Sequence, residues 1–413
     1  MIRRAIGVLA LYLAVASCGG GSSPTDTPPV VVPVVSTITI AAPARSLVIG
    51  ESVALTATAR DQQGRQITSP IVWNSTAIAV ASVSALGVVT AVGVGSATVQ
   101  AVSGSVSAST VVTVVGPTVY VAGQSYFSNN GYIEYIAGNA PVILTAPHGG
   151  ALLPTSIPDR TASACGGSAT TVTDSNTQEL IRAMQQQFFA RFGTHPHVVI
   201  SLLSRRKLDP NRLPTEAACN NAEALTALND WHAFIDVAKA SVLQATGKGW
   251  YMDIHGHGHA IPRLELGYLL ANSDLDRLDG ALDATTGFES TSSISSLSQL
   301  SPLSFSALLR GANSLGTLYA NNGFPSIPSA TDPSPNGTDY FNGGDNTSRH
   351  SCGARASSLG GTSNGNICGV QVETNFTGVR DNAANRARFG DATATVLETF
   401  LRVHWGILVG SRE

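Results

Sequence analysis

From about residue 36 to 115, polar and apolar positions alternate with a period of two. Thr37-Ile38-Thr39-Ile40, Ala97-Thr98-Val99-Gln100-Ala101-Val102 and Thr110-Val111-Val112-Thr113-Val114 are examples, separated by turns such as Asp61-Gln62-Gln63-Gly64. Alternation places every second side chain on one face of a strand, and short strands at regular spacing predict an all-β sandwich. Trp73 is its expected core plug, and no cysteine joins its sheets. Beyond residue 140 the texture changes. Buried-strand runs (141–146, 197–203, 250–254, 366–373) alternate with helical spacing over 176–191, 222–243 and 383–404. In 176–191, Leu180, Ile181, Met184 and Phe188 recur on one face, and Thr173-Asp174-Ser175 supplies N-cap residues. Strands alternating with helices predict an α/β sheet covered by helices. Residues 116–140 read as a connector and the entry to the large domain. Residues 285–340, rich in Ser, Pro and Asn, read as a long excursion, a lid over the site.

The first 17 residues carry Arg3 and Arg4, then an apolar run from Ala5 to Ala16. This reads as a secretion signal, too short for a stable transmembrane helix. Val15-Ala16-Ser17-Cys18 resembles a bacterial lipobox, which implies cleavage before Cys18 and lipidation there. The Gly/Ser/Pro-rich stretch 18–35 suits a flexible tether. The expected location is the bacterial cell envelope, with the chain lipid-anchored through Cys18. Gly19, where an Asp would retain it, favours the outer membrane if there is one.

Composition narrows the functions. The chain has 413 residues, 43% apolar and 12% charged, with a net charge of −3. That predicts two domains with sizeable cores and no nucleic-acid partner. Besides Cys18, four cysteines remain: Cys165, Cys219, Cys352 and Cys368. Outside a reducing compartment they predict two disulfides. Three pairings exist; the one expected first joins Cys352 to Cys368 and Cys165 to Cys219. None has the close spacing of a zinc knuckle.

Candidate chemistry follows the strand ends, where ligands bind in open α/β sheets. Asp253-Ile254-His255-Gly256-His257-Gly258-His259 holds three of the nine histidines. Asp253 and His255, at i and i+2, share a strand face, as suits a ligand imidazole held near a carboxylate. Pro147-His148-Gly149-Gly150 follows another strand, Asp174 opens a helix, and Ser204 to Arg212 is strongly polar. Glu373 is a carboxylate inside an apolar strand and needs a partner or a job. Two His and one Asp can hold zinc with an open position for water, while a Glu moves protons and arginines hold a substrate carboxylate. That inventory predicts amide hydrolysis. Blander readings stand beside it. His148 can cap a turn. Asp174 can be an N-cap, with Glu179 as reserve ligand one turn on. Arg205, Asp209 and Arg212 can form a structural ion-pair network, and Glu373 can pair with Arg380.

Two resemblances sharpen these expectations. Val48-Ile49-Gly50-Glu51-Ser52-Val53 and Leu86 to Gly95 look like the bacterial Ig-like group 2 family, which implies a spacer or adhesion module at 36–115 with cell-surface or cell-wall contact. From about 140 to 405 the chain resembles the N-formylglutamate amidohydrolases, relatives of zinc carboxypeptidases. The matching pieces are Pro147-His148-Gly149-Gly150, Thr173-Asp174, Ser204-Arg205, Asp209-x-Asn211-Arg212 and Asp253-Ile254-His255, then Leu266-Gly267, Phe341-Asn342-Gly343-Gly344, Arg349-His350 and Gln371-Val372-Glu373. The resemblance implies an amidohydrolase domain over 117–413. It implies His148, Asp174 and His255 as ligands of one Zn2+ per chain, and Glu373 as general base. Arg205, Asn211, Arg212 and His257 are then the expected contacts to a small-molecule or peptide substrate. Three positions depart from the family pattern: Gly149 replaces Ser or Ala, Gly256 replaces Ser, and Pro210 replaces an apolar residue. A carboxypeptidase, a peptidoglycan amidase or a non-catalytic surface-binding protein are the rival readings.

Overall fold

The structure, a computed structural model, describes residues 32–41, 46–353 and 365–410. The expected signal segment, Cys18 and most of the tether lie outside the described residues. The chain divides into two compact units, residues 1–119 and 120–413.

The first unit is β-rich. Its longest hairpin pairs Gly95–Ser103 with Val106–Val115, and Val72–Ser75 adds to the other edge of Gly95–Ser103. Two three-stranded sheets complete it, Thr37–Ala41 with Thr56–Arg60 and Gln66–Ile67, and Ser52–Ala54 with Val88–Ala91 and Ala81–Val83. Alternation decides its core: Ala97, Val99 and Ala101 point inward while Ser96, Thr98 and Gln100 do not. Trp73 is only half-buried and packs against that core rather than plugging it.

The second unit is a three-layer α/β domain. Its strands are β1 (Ser125–Phe127), β2 (Ile133–Ile136), β3 (Val142–Ala146), β4 (His197–Ser201), β5 (Gly249–Gly256), β6 (Leu264–Gly267), β7 (Ser326–Ile327) and β8 (Ile367–Thr374). They form one sheet in the order β1-β2-β4-β3-β5-β8-β6-β7. The central four, β4, β3, β5 and β8, run parallel. Parallel strands are buried on both faces, and here alternate residues feed two cores. Val142, Leu144 and Ala146 of β3 and Trp250, Met252 and Ile254 of β5 meet helices α1 (Thr177–Phe192) and α3 (Ala383–Trp405), through Leu180, Met184, Leu397 and Phe400. Ile143 and Tyr251 face the other way, onto α2 (Ala222–Thr246) through Leu228, Trp231 and Ile235.

Two expectations are corrected. The stretch 116–140 is not a plain connector, for it supplies β1 and β2. Its polar member, Glu134, masked the strand; it is buried and paired with Arg182 of α1, and it accepts from Ser125 Oγ at 2.9 Å. Nor is 285–340 a loose lid. It folds as four short helices (Thr286–Thr291, Ser295–Leu300, Phe305–Arg310, Leu315–Asn321) followed by β7, and buries Leu297, Leu308, Leu309, Leu315 and Tyr319 in the main core. The serines that suggested a loop are helix caps: Ser304 and Ser314 accept from the amides of Ala307 and Thr317. The disulfides are Cys165–Cys219 and Cys352–Cys368, the pairing expected first. No helix among the described residues is long and apolar enough to cross a membrane.

Candidate metal centre

The period of two that fills the cores also builds the site. On β5, Asp253 and His255 share the face of Tyr251; on β8, Gln371 and Glu373 share it; and in register His255 stands beside Glu373 and Asp253 beside Gln371. Thr145 stands opposite Asp253 on β3. The carboxyl ends of three adjacent parallel strands thus carry polar side chains on one face. His148 follows β3 on the turn Pro147-His148-Gly149-Gly150. A Cβ on Gly149 would sit 2.5 Å from Thr177 Oγ1, so this turn packs against the start of α1 only without a side chain.

Asp174 closes the set. It precedes α1 but is not its cap; the helix begins at Thr177 after Asn176, whose backbone is left-handed and whose side chain makes no cap bond. The Asp174 carboxylate turns instead toward the histidines. Oδ2 lies 3.2 Å from His148 Nδ1 and 3.2 Å from His255 Nδ1, and it accepts the Gly256 amide at 3.2 Å. Glu179, the reserve ligand, is exposed and outside this cluster.

The far side of each ring is held by another buried carboxylate. His148 Nε2 is 2.6 Å from Asp209 Oδ1, and His255 Nε2 is 2.8 Å from Asp253 Oδ2. A carboxylate only accepts, so when the rings are neutral and their Nε2 protons go to Asp209 and Asp253, each Nδ1 lone pair faces Asp174 Oδ2, and a cation or a second proton has to lie between them. Asp209 is itself fixed by Arg205 Nε at 2.9 Å and the Asn211 amide at 3.1 Å. Asp253 receives the Thr145 hydroxyl at 2.6 Å and Asn346 Nδ2 at 3.2 Å. The ligand atoms of His148, Asp174 and His255 all lie within 4.8 Å of one another. Tetrahedral zinc with bonds of about 2.0–2.1 Å separates its ligand atoms by roughly 3.3 Å, so the spacing fits.

The protonation equilibria show the same demand for positive charge. Burial alone would raise the pKa of Asp174, but His148 and His255 hold it well below the carboxylate range. Burial alone would lower that of His255, but Asp253, then Asp174 and Glu373, raise it well above the imidazole range. In the metal-free chain a proton on His255 therefore supplies the missing cation. Glu373 differs. Burial pushes it up to about 7, with His255 opposing and Asp174 adding to the rise. Its Oε1 lies 3.9 Å from His255 Nδ1 and accepts from Gln371 Nε2 at 2.9 Å.

Arg380 is not Glu373's ion-pair partner. Its guanidinium binds the carbonyls of Thr374 and His257, at 3.2 and 3.3 Å, and that of Ser175, lacing the β8 end, the β5 end and the Asp174 loop together. A Cβ on Gly256 would sit 2.3 Å from Arg380 Cζ, so the guanidinium packs here only against glycine.

One cavity of about 260 Å3 is bordered by His148, Asp174, His255 and Glu373, and by Arg205, Asn211 and Arg212. His257 does not border it; the ring is buried and its Nε2 donates to the Arg263 carbonyl at 2.8 Å. Arg205 is engaged with Asp209 and stands 3.6 Å from Asp174. Asn211 donates to Gln371 Oε1 at 3.4 Å and accepts the Asn346 amide at 2.8 Å. Arg212 uses Nε on Glu216 and Nη1 on its neighbour's carbonyl, which leaves Nη2 without a protein hydrogen bond among the described residues. Sequence reasoning passed over Thr145 and Asn346, which hold Asp253. Gln371 had a readable signal, two residues before Glu373 on the same strand face.

Residues 34–114 match the bacterial Ig-like domain (group 2) family. No curated protein matches the chain. Among solved structures, domains 4 and 5 of the S-layer protein SbsC are 29% identical over 20% of this chain and 54% of that one, with a TM-score of 0.19. The chain thus spans about half the length of that fragment. A gene product from Agrobacterium tumefaciens is 14% identical, with 65% of this chain and 94% of that one covered and a TM-score of 0.37. The N-formylglutamate amidohydrolase from Ralstonia eutropha is 12% identical, with 66% of this chain and 96% of that one covered and a TM-score of 0.35.

Proposed function

We propose that the second unit is a zinc-dependent amidohydrolase that cleaves an amide bond of a small, carboxylate-bearing substrate such as an N-formyl or N-acyl amino acid. One observation carries the reading. Three lone pairs, on His148 Nδ1, His255 Nδ1 and Asp174 Oδ2, converge while both Nε2 atoms are committed to buried carboxylates. Acceptors so close repel one another unless a cation or proton lies between them, and imidazole with carboxylate suits zinc. Zinc bound there would polarise the substrate carbonyl and acidify a water.

The chain's own residues do the rest. Glu373, with a pKa near neutrality, takes a proton from water and returns it to the leaving amine, as a general base and then acid. Gln371 Nε2 fixes the Glu373 carboxylate, which lines the cavity, by donating to its Oε1 at 2.9 Å. Arg212 Nη2, and the edge of Arg205, offer the substrate carboxylate a charge-assisted hydrogen bond. The cavity's volume favours a small substrate over a folded protein or glycan strand. An Ig-like domain and two disulfides fit an exported chain. In this reading Cys18 carries the lipid that holds it to the cell envelope, and the Ig-like domain spaces the enzyme from the membrane.

Metal analysis of the full-length protein beside its His255→Ala variant tests this. The expected result is zinc bound through this centre, lost in the variant, with amine release from N-formyl or N-acyl amino acids lost alongside. Wild-type protein that takes up no added zinc at this centre would overturn the reading. Selective release of C-terminal residues from peptides would move the activity to a carboxypeptidase, and release from peptidoglycan fragments to an amidase.

A further inference from the structure

The loop beyond β5 carries a second set of ligating side chains that the proposed reaction does not use. His257 and His259 follow the end of β5, and Glu265 stands on β6; their ligand atoms lie within 4.8 Å of one another. The His257 Nε2 proton is given to the Arg263 carbonyl at 2.8 Å, so its Nδ1 holds a lone pair. That Nδ1 lies 3.9 Å from Glu265 Oε1, and its lone pair accepts the His259 backbone amide at 3.1 Å, a bond that an ion bound there would replace. His259 Nδ1 donates to the same Oε1 at 2.8 Å, a proton that a bound cation would displace. Glu265 is buried, its Oε2 accepts the Phe341 amide at 2.8 Å, and no lysine or arginine is ion-paired with it among the described residues. His259 stacks on Phe341 with ring centroids 4.6 Å apart, and its side chain is 21% exposed, so the cluster opens to solvent on that side.

We infer that His257, His259 and Glu265 form a second divalent transition-metal site, distinct from the centre at His148, Asp174 and His255. The donor set is the same, two imidazoles and one carboxylate. One imidazole is oriented through its other nitrogen by a backbone carbonyl and the carboxylate by a backbone amide, the outer support that ligating groups characteristically have. Imidazole donors select zinc, cobalt, nickel or copper over magnesium or calcium. Three protein ligands leave a coordination position toward the open side. In the strand register Glu265 pairs with Glu373, so an ion held here adjoins the catalytic carboxylate. This is also the use for the two histidines that the first centre leaves over from the cluster at 255–259.

The inference stands independently of the proposed hydrolase. Full-length protein stripped of metal is titrated with Co2+, following stoichiometry by atomic absorption and ligand-field spectra by visible absorption. Two ions per wild-type chain are expected, one in each of His259→Ala, Glu265→Gln and His255→Ala, and none in the His255→Ala/His259→Ala double variant. Glu265→Gln keeps the acceptor for the Phe341 amide, so a loss there is not a folding defect, and circular dichroism checks each variant. One ion in the wild type, abolished by His255→Ala and untouched by Glu265→Gln, overturns the second site and leaves the first. One ion in His255→Ala and His255-independent spectra, with none held by His259→Ala, upholds the second site and removes the first.

Discussion

Glu373 should cost the fold stability that its chemistry requires. Its folded pKa is about 7 against an ordinary 4.5, chiefly through burial. Between those values the native chain binds a proton that the unfolded chain does not, so stability falls as pH rises from about 4.5 to 7 and stays low above. The difference is worth ~3 kcal/mol, an order-of-magnitude figure for a group this buried. Glu373→Gln removes the titration and keeps the bond from Gln371 Nε2, because the new amide oxygen accepts as the carboxylate did. In metal-free protein the variant should be ~3 kcal/mol more stable at pH 8 and equal to wild type near pH 4. With m about 3 kcal/mol/M, that moves the urea midpoint up by roughly 1 M. Trp231, Trp250 and Trp405, all buried in this unit, report the transition by fluorescence. The same variant should lose on the order of 10²–10⁴ in kcat while still binding metal. A stability offset that is the same at pH 5 and pH 8, or a variant less stable at pH 8, would refute the claim that Glu373 is a strained charge held for proton transfer.

Because His255 is held protonated by Asp253 and Asp174, zinc uptake near pH 7 should release about one proton per ion at this centre. Calorimetry in buffers of different ionisation enthalpy measures it, and an absence of release means that a neutral His255 already waits for metal. Asp253→Asn should leave the His255 ring less firmly oriented and weaken metal binding by about 10–100-fold, read by competition with a chromogenic chelator. Loss of the 54-residue Cys165–Cys219 link should cost at most about 4 kcal/mol and of the 16-residue Cys352–Cys368 link about 3 kcal/mol, on the chain-entropy account. Urea midpoints of the Cys→Ser pairs would show whether that order holds.

Much of this molecule is local in origin. Alternation over Gly95–Ser103 and apolar spacing in α1 each describe an element that buries one face, and periods of two and 3.6 residues are visible in any short window. The pairing of Asp253 with His255 is equally local, since i and i+2 on a strand share a side. Composition hid other elements: serines at helix caps made 285–340 look like a loop, and Glu134 concealed β2 because its partner Arg182 lies 48 residues away. The sequence by itself determined which residue types stand at the strand ends and hence the chemistry available. Only the tertiary structure decided that Asp209 holds His148 while Asp174 meets both histidines, that Arg380 binds carbonyls rather than Glu373, and that Glu265 lies beside Glu373. These depend on the register of strands more than a hundred residues apart and on burial, which turns an ordinary carboxylate into one that titrates near neutrality.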